Sequence, residues 1–386
     1  MDRIRRLLVI VLLAALVPAC GGDAPAPEAG DAAWPRVLAE ARGQTVNWWM
    51  FGGDDRINEY VERYVAPEAA ALGVKVRRVP VTDTADAVQR VVSQRRAGKE
   101  SGGAVDLIWI NGENFAAGKK VGLWMRDWAR RLPNARYLEP GDPSLARDFG
   151  VPVEGQESPW SRAAFVFAAD SARVPDPPDT LDELLAWARA NPGRFTYPAP
   201  PDFTGSAFVR QVVAAKGEDE AFAYLKALKA FSYRRGEVLP KSEAELNTLF
   251  ANGKVDIAMS YDSSFVASAV RKGQFRETTR PFLLGGGALT NVSYVTIPAD
   301  ADHRAGAQVL ANLLLEPRLQ AIKADPAVLG IPTVLARDRL PAAARQPFTG
   351  VQRSPYLLRD LGTPVQELPV QRVAPIEARW KREVLR

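Results

Sequence analysis

A chain of 386 residues, 47% hydrophobic and 25% charged, is long enough for two domains around separate cores. Its net charge of +5 is small for that length, and basic and acidic residues alternate, which excludes a nucleic-acid footprint. One cysteine excludes an internal disulfide, and one histidine, His303 at a predicted helix start, leaves neither a His/Cys zinc cluster nor a Ser-His-Asp set in a cleft.

Arg3, Arg5 and Arg6 precede an apolar stretch over residues 7–17. This is the pattern of a secretory signal and is too short for a comfortable membrane span. Val17-Pro18-Ala19-Cys20 resembles a bacterial lipobox. The expectation is a signal peptide over 1–19, lipidation at Cys20, and a flexible tether over 20–43 that holds the protein at a membrane surface.

Residues 44–50 read as a first strand, with Trp48 and Trp49 near its end. Phe51-Gly52-Gly53-Asp54-Asp55 is a turn, and an Asp there can cap a helix over 56–72. Pro67 should kink or break that helix, and Gly73 should end it. Residues 74–81 form a second strand, and a helix from Thr84 ends near Gly98. The third strand opens VDLIWINGENF at 105–115, an apolar run stopped by Asn111, Gly112, Glu113 and Asn114. Such a run suits a strand buried on both faces. Strands alternating with helices make a doubly wound α/β start, where ligands sit beyond the strands' carboxyl ends.

A second copy, VDIAMSYDSSF at 255–265, repeats the Val-Asp opening and the closing Phe at the same spacing. Two such strand ends could face one another across a cleft between two lobes. Asp106 and Asp256 lie near the strand starts and read as structural. Between the copies, 137–155 looks irregular, and 163–169 reads as a first crossover between lobes. Thr180 and Glu183 form a capping box for a helix over 181–190. Residues 195–197 read as a short strand, a Pro-rich loop opens a helix at Ser206, and helices follow over 218–231 and 241–252. Residues 288–297 read as the return crossover, 303–324 as a helix interrupted near Pro317, and the chain closes with a helix near 376–384. The resulting division is 44–162 with 296–386 in one lobe and 163–295 in the other.

The lipobox, the strand ending WWMFGG, the IWINGENF segment, VDIAMS, and NVSYVTIP before a helix occur in an order that resembles the extracellular solute-binding proteins of ABC transporters, most closely the YnjB-like group. The resemblance runs from about Gln44 to the last helix. It implies an α/β, type II periplasmic-binding-protein fold, with two lobes of mixed, mostly parallel sheets joined by two crossover strands. It further implies a monomeric periplasmic binder rather than an enzyme, needing no cofactor or metal. That binder would deliver a small solute to a permease and its ATPase.

In such a fold the ligand contacts come from strand ends and helix starts. The first lobe offers Trp49, Phe51, Gly52, Asn111, Gly112, Glu113 and Asn114, and Trp160 precedes the first crossover. The second lobe offers Thr204, Gly205, Ser206, Tyr261 and Asp262, and the return crossover offers Asn291 and Tyr294. An aromatic wall of Trp48, Trp49, Phe51, Trp160 and Tyr261 beside Glu113 and Asp262 would suit a cation or cationic ring, at roughly 0.5–2 kcal/mol per aromatic contact. Thr204-Gly205-Ser206 at a helix start would instead suit an anion. A secreted carbohydrate hydrolase using paired carboxylates is the competing class.

Overall fold

The computed structural model describes residues 33–81, 83–285, 287–349, 354–358, 361–362 and 365–386. The expected signal peptide, Cys20 and the first part of the expected tether lie outside the described residues. The rest of that tether is folded. Trp34–Ala41 is a helix, with Ala41 buried and Trp34, Val37 and Leu38 packed on the first core. These four residues recur at helical spacing, a stripe hidden by the small-residue composition around it.

Eleven strands occur among the described residues: β1 Thr45–Phe51, β2 Lys75–Val81, β3 Leu107–Ile110, β4 Arg147–Asp148, β5 Val151–Pro152, β6 Glu157–Ala164, β7 Val166–Asp170, β8 Ile257–Ser260, β9 Thr279–Phe282, β10 Leu289–Thr296 and β11 Val365–Gln366. In the large sheet β1 lies between β2 and β3, parallel to both. There β10 runs antiparallel to β3 and β6 and parallel to β11. In the second sheet β7 lies between β8 and β9, antiparallel to both. Parallel pairing is therefore confined to the large sheet among the described strands.

Two hydrophobic cores follow these sheets. One gathers buried residues from 41–160 and 292–348, the other from 164–289 and 376–384. The strands that cross between them are β6 and β10, paired with each other. The first crossover thus ends at Ala164, and Val166–Asp170 already belongs to the second sheet. Residues 195–197 form no ladder, although Phe195 and Tyr197 are buried. The C-terminal helix Val370–Trp380 sits in the second lobe, not the first, because Ile376, Trp380 and Val384 are buried in its core. The chain therefore passes between the lobes a third time, between Phe348 in the first core and β11 beside β10.

The local signals explain most element ends. Glu183 N donates to Thr180 Oγ1 at 3.1 Å while Glu183 Oε2 accepts from Asp179 N at 2.8 Å, a reciprocal cap. Ser242 and Glu245 repeat the device ahead of Glu243–Ala251. The long helix around Pro67 stays continuous. A π-helical turn over Val61–Val65 precedes Ala66–Ala71 and places Pro67 in that segment's first turn, where its missing N–H matters least.

The crossover pair contains one irregularity. Ser293 pairs with Ser161 and Tyr294 with Pro159, so Trp160 is an extra residue in β6. Its carbonyl accepts instead from Gln320 Nε2 at 2.7 Å and from Lys323 Nζ. Lys323 is fully buried, and burial, then Arg162, hold its pKa well below the ordinary lysine value. The helix Pro317–Ala324 thus closes the hydrogen bonding of the bulge.

The two Val-Asp openings anchor their strands differently. Asp106 is fully buried and accepts from Asn47 N and Nδ2 at 2.8 Å each and from His303 N at 2.9 Å. Asp256 accepts from Arg194 Nε at 2.7 Å and Arg173 Nη1 at 3.4 Å, both partly exposed. Asp106→Ala strands two backbone N–H groups and should cost about 3 kcal/mol. Asp256→Ala leaves arginines that water can reach and should cost less. Urea unfolding followed by tryptophan fluorescence compares the two, and equal losses would contradict the contrast.

Candidate functional site

A cavity of about 150 Å³ lies where the lobes meet. The first lobe contributes Asn111, Gly112, Glu113 and Phe149, and the second contributes Pro201, Phe203, Ser206, Arg210, Val373 and Glu377. The first-lobe wall is built by the end of β3. Asn111 caps the helix Gly112–Lys120, its Oδ1 accepting from Asn114 N at 3.3 Å and from Asn114 Nδ2 at 2.9 Å. Gly112 is required for close approach, since a Cβ there would stand 2.5 Å from the Phe149 ring. Glu113 opens onto the cavity. Partial burial, and then Glu377, raise its pKa above the ordinary value, with Arg210 pulling the other way.

The second-lobe wall is one face of the helix Phe203–Lys216. Phe203, Ser206 and Arg210 are spaced three and four apart and so share that face. Arg210 is buried and donates through Nε and Nη2 to the two Glu367 oxygens at 2.9 Å each. Burial alone would lower the guanidinium's pKa, but Glu367 holds it above the ordinary value. Ser206 Oγ accepts from Arg210 Nη1 at 2.7 Å and donates to Glu377 Oε1 at 2.5 Å. Tyr261 Oη donates to Glu367 Oε1 at 2.8 Å, and its ring lies 5.2 Å from that of Phe203.

Of the residues singled out in the sequence, Asn111, Gly112, Glu113 and Ser206 line this cavity, while Asn114 and Tyr261 support it from behind. The aromatic wall does not assemble. Trp48 and Trp160 pack edge to face in the first core at 6.1 Å, and Trp49 is half-buried, its Nε1 donating to Ala104 O at 3.4 Å. Phe51 is exposed at the end of β1, and Gly52 lies against Pro80. Asn291 and Tyr294 sit in the crossover ladder, Tyr294 fully buried.

The helix start at Thr204-Gly205-Ser206 is already capped. Asp202 Oδ1 accepts from Gly205 N at 2.9 Å and Asp202 O from Ser206 N at 2.8 Å, so these two N–H groups do not point at a ligand. Thr204 Oγ1 donates to Glu243, and Gly205 sits against the Pro198 carbonyl. Asp262 accepts from Ser264 N at 2.8 Å and from Ser264 Oγ. Ser264 Oγ also accepts from Arg56 Nη1 of the first lobe at 3.3 Å. Asp262 therefore braces an inter-lobe contact rather than lining the cavity.

Sequence reasoning missed Phe149, Pro201, Phe203, Arg210, Val373 and Glu377, and Glu367 behind them. The cap at Asp202 was a usable signal, because it starts the helix three residues earlier and brings Phe203 and Arg210 onto the face of Ser206. Behind Phe149 lie two buried carboxyls, Asp148 and Glu157, and their four oxygens have no hydrogen-bond partner among the described residues. Burial, and then Glu367 for the first and Asp148 for the second, push both pKa values well above the carboxylate range. No group of three or more His, Cys, Asp or Glu able to hold a metal occurs among the described residues.

Two lobes, one built on a mixed sheet and the other on a wholly antiparallel three-stranded sheet instead of the mostly parallel one expected, with two paired crossing strands and a cavity at the junction, define a type II periplasmic-binding-protein fold. Residues 61–342 match the bacterial extracellular solute-binding proteins, and the chain belongs to that family. It is 38% identical to Protein YnjB of Escherichia coli (strain K12) over 331 residues, covering 81% of this chain and 85% of that protein. Two solved structures share the fold. One is AfuA from Actinobacillus pleuropneumoniae, with fructose-6-phosphate bound: TM-score 0.60, 13% identity, covering 88% of this chain and 98% of AfuA. The other is the substrate binding protein of an ABC transporter from Agrobacterium tumefaciens: TM-score 0.61, 17% identity, covering 89% and 96%. The family is one of binders, and the carbohydrate-hydrolase reading finds no support in it. No helix among the described residues is long and apolar enough to cross a membrane.

Glu243 beneath Thr204 gives the site's surroundings a measurable pH signature. Burial raises its pKa from 4.5 to about 7, against hydrogen bonds from Thr204 and Ser260 that lower it. A carboxyl with a raised folded pKa penalises folding above that pKa, and the penalty fades as pH falls toward the unfolded value. Glu243→Gln should therefore gain stability on the order of 2 kcal/mol at pH 8 relative to the parent. The difference should vanish below pH ~4.5. Urea midpoints at both pH values check this.

Proposed function

We propose that this protein captures a small cationic solute between its lobes and delivers it to the permease and ATPase of an ABC importer. The observation that carries the reading is the cavity's charge. Glu113 enters from the first lobe and Glu377 from the second, while the cavity's arginine, Arg210, is already neutralised by Glu367. A cation bridging the two carboxylates would hold the lobes together and relieve their repulsion. Phe149 and Phe203 also line the cavity, and the Arg210 guanidinium carbon already lies 6.0 and 5.7 Å from their ring centres, so this wall is of the aromatic kind that tolerates a cation.

A cavity of this size suits a benzene-sized group. The solute is therefore small, or part of it projects to solvent. AfuA holds a sugar phosphate, but the corresponding need here, an unpaired buried cation, is not met by Arg210. Capture follows the hinge pattern, with the open form exposing both walls and the ligand favouring closure. In the same reading the protein is a periplasmic monomer anchored through lipidated Cys20. Cys20→Ser should then leave the membrane fraction on cell fractionation, and retention of the variant would contradict anchoring.

Calorimetric titration with methylammonium, guanidinium and putrescine, against acetate and phosphate, tests the ligand class. The expected outcome is saturable binding of a cation, weakened at least tenfold by Glu113→Gln and by Glu377→Gln while each variant still unfolds cooperatively. Each lost charge-assisted contact is worth about 1.5–3 kcal/mol. The bound form needs Glu113 ionised, so affinity should fall about tenfold per pH unit below its raised pKa. Binding of phosphate or acetate with all cations silent would sink the reading.

A further inference from the structure

Glu367 stands behind the cavity wall and comes from a part of the chain remote from both strand-end loops, one residue beyond β11. Its carboxylate receives two side-by-side bonds from Arg210 at 2.9 Å and one from Tyr261 Oη at 2.8 Å. This paired geometry is how proteins grip a planar carboxylate in a ligand. The two side chains are 2% and 4% exposed, yet Arg210 still forms cavity wall. Its third nitrogen is fixed by Ser206 Oγ at 2.7 Å, so the fork stays aimed at one spot.

We infer that Glu367 is a ligand carboxylate supplied by the chain itself, filling a carboxylate receptor made by Arg210 and Tyr261 and thereby setting the site's preference for cations over anions. The inference rests on the cation reading, because Glu113 and Glu377 dominate the cavity only while Arg210 is neutralised. It makes Glu367 a specificity-determining residue that need not touch the solute. Without it the same walls would present an unpaired guanidinium and a tyrosine hydroxyl, the chemistry of a carboxylate binder. An ordinary structural ion pair would also be buried and paired, but removing its acid would not create a site that free carboxylates refill.

The test is chemical rescue in the mature protein. Glu367→Ala should lose stability, because it leaves a buried guanidinium without a counter-charge. Formate or acetate, at constant ionic strength with chloride as control, should raise its melting temperature saturably. The parent and the double variant R210M/E367A should not respond. A folded Glu367→Ala that ignores both carboxylates, or a parent that responds equally, overturns the proposal. If Glu367→Ala does not fold, Glu367→Gln takes over. Its amide keeps the space filled but leaves Arg210 charged, so affinity for the cation that the parent binds should fall at least tenfold. Unchanged affinity overturns the proposal. If the parent binds none of the cations, the formate response of Glu367→Ala still reports on the receptor, so failure of the cation reading and failure of this inference are distinguishable.

Discussion

A guanidinium buried to the degree of Arg210 must have a counter-charge, and the site is arranged around that requirement. Glu367 supplies it, Tyr261 donates to that carboxylate, and Ser206 accepts from the guanidinium's third nitrogen. The requirement ties three distant segments together: the helix after Asp202, the loop after β8, and the chain beyond β11. Because Ser206 also donates to Glu377, the position of the C-terminal helix follows from the same network. The apolar wall from Phe149 and Phe203 then borders a polar floor whose bonds are already made.

Much of the frame could be read from residues. The Val-Asp repeats marked β3 and β8, the two strands whose ends point toward the lobe junction. Ser242 with Glu245 and Thr180 with Glu183 marked real helix starts, because a capping box is local chemistry that tertiary context rarely overrides. Asn111, Gly112 and Glu113 were legible because they interrupt an apolar run at the carboxyl end of a strand.

What could not be read depended on long-range packing. Trp160 looked like a cleft aromatic, but a bulge turns it into the core between Trp48 and Trp109. Nothing in its neighbours' sequence announces that shift, since the compensating groups, Gln320 and Lys323, lie 160 residues away or more. Glu367 and Glu377 sit in a stretch rich in proline, and only the second core's need for Ile376 and Trp380 assigns that stretch to its lobe. Phe149 has a positive φ of 43°, so its aim is set by backbone geometry that its residue type does not suggest.

The third passage between the lobes leaves the two ends of the folded chain on different bodies. The helix Trp34–Ala41 is packed into the first core and Trp380 is buried in the second. A rotation of one lobe against the other therefore moves one terminus relative to the other. End-to-end distance becomes a built-in gauge of how far the jaws have turned, readable by fluorophores placed outside both cores.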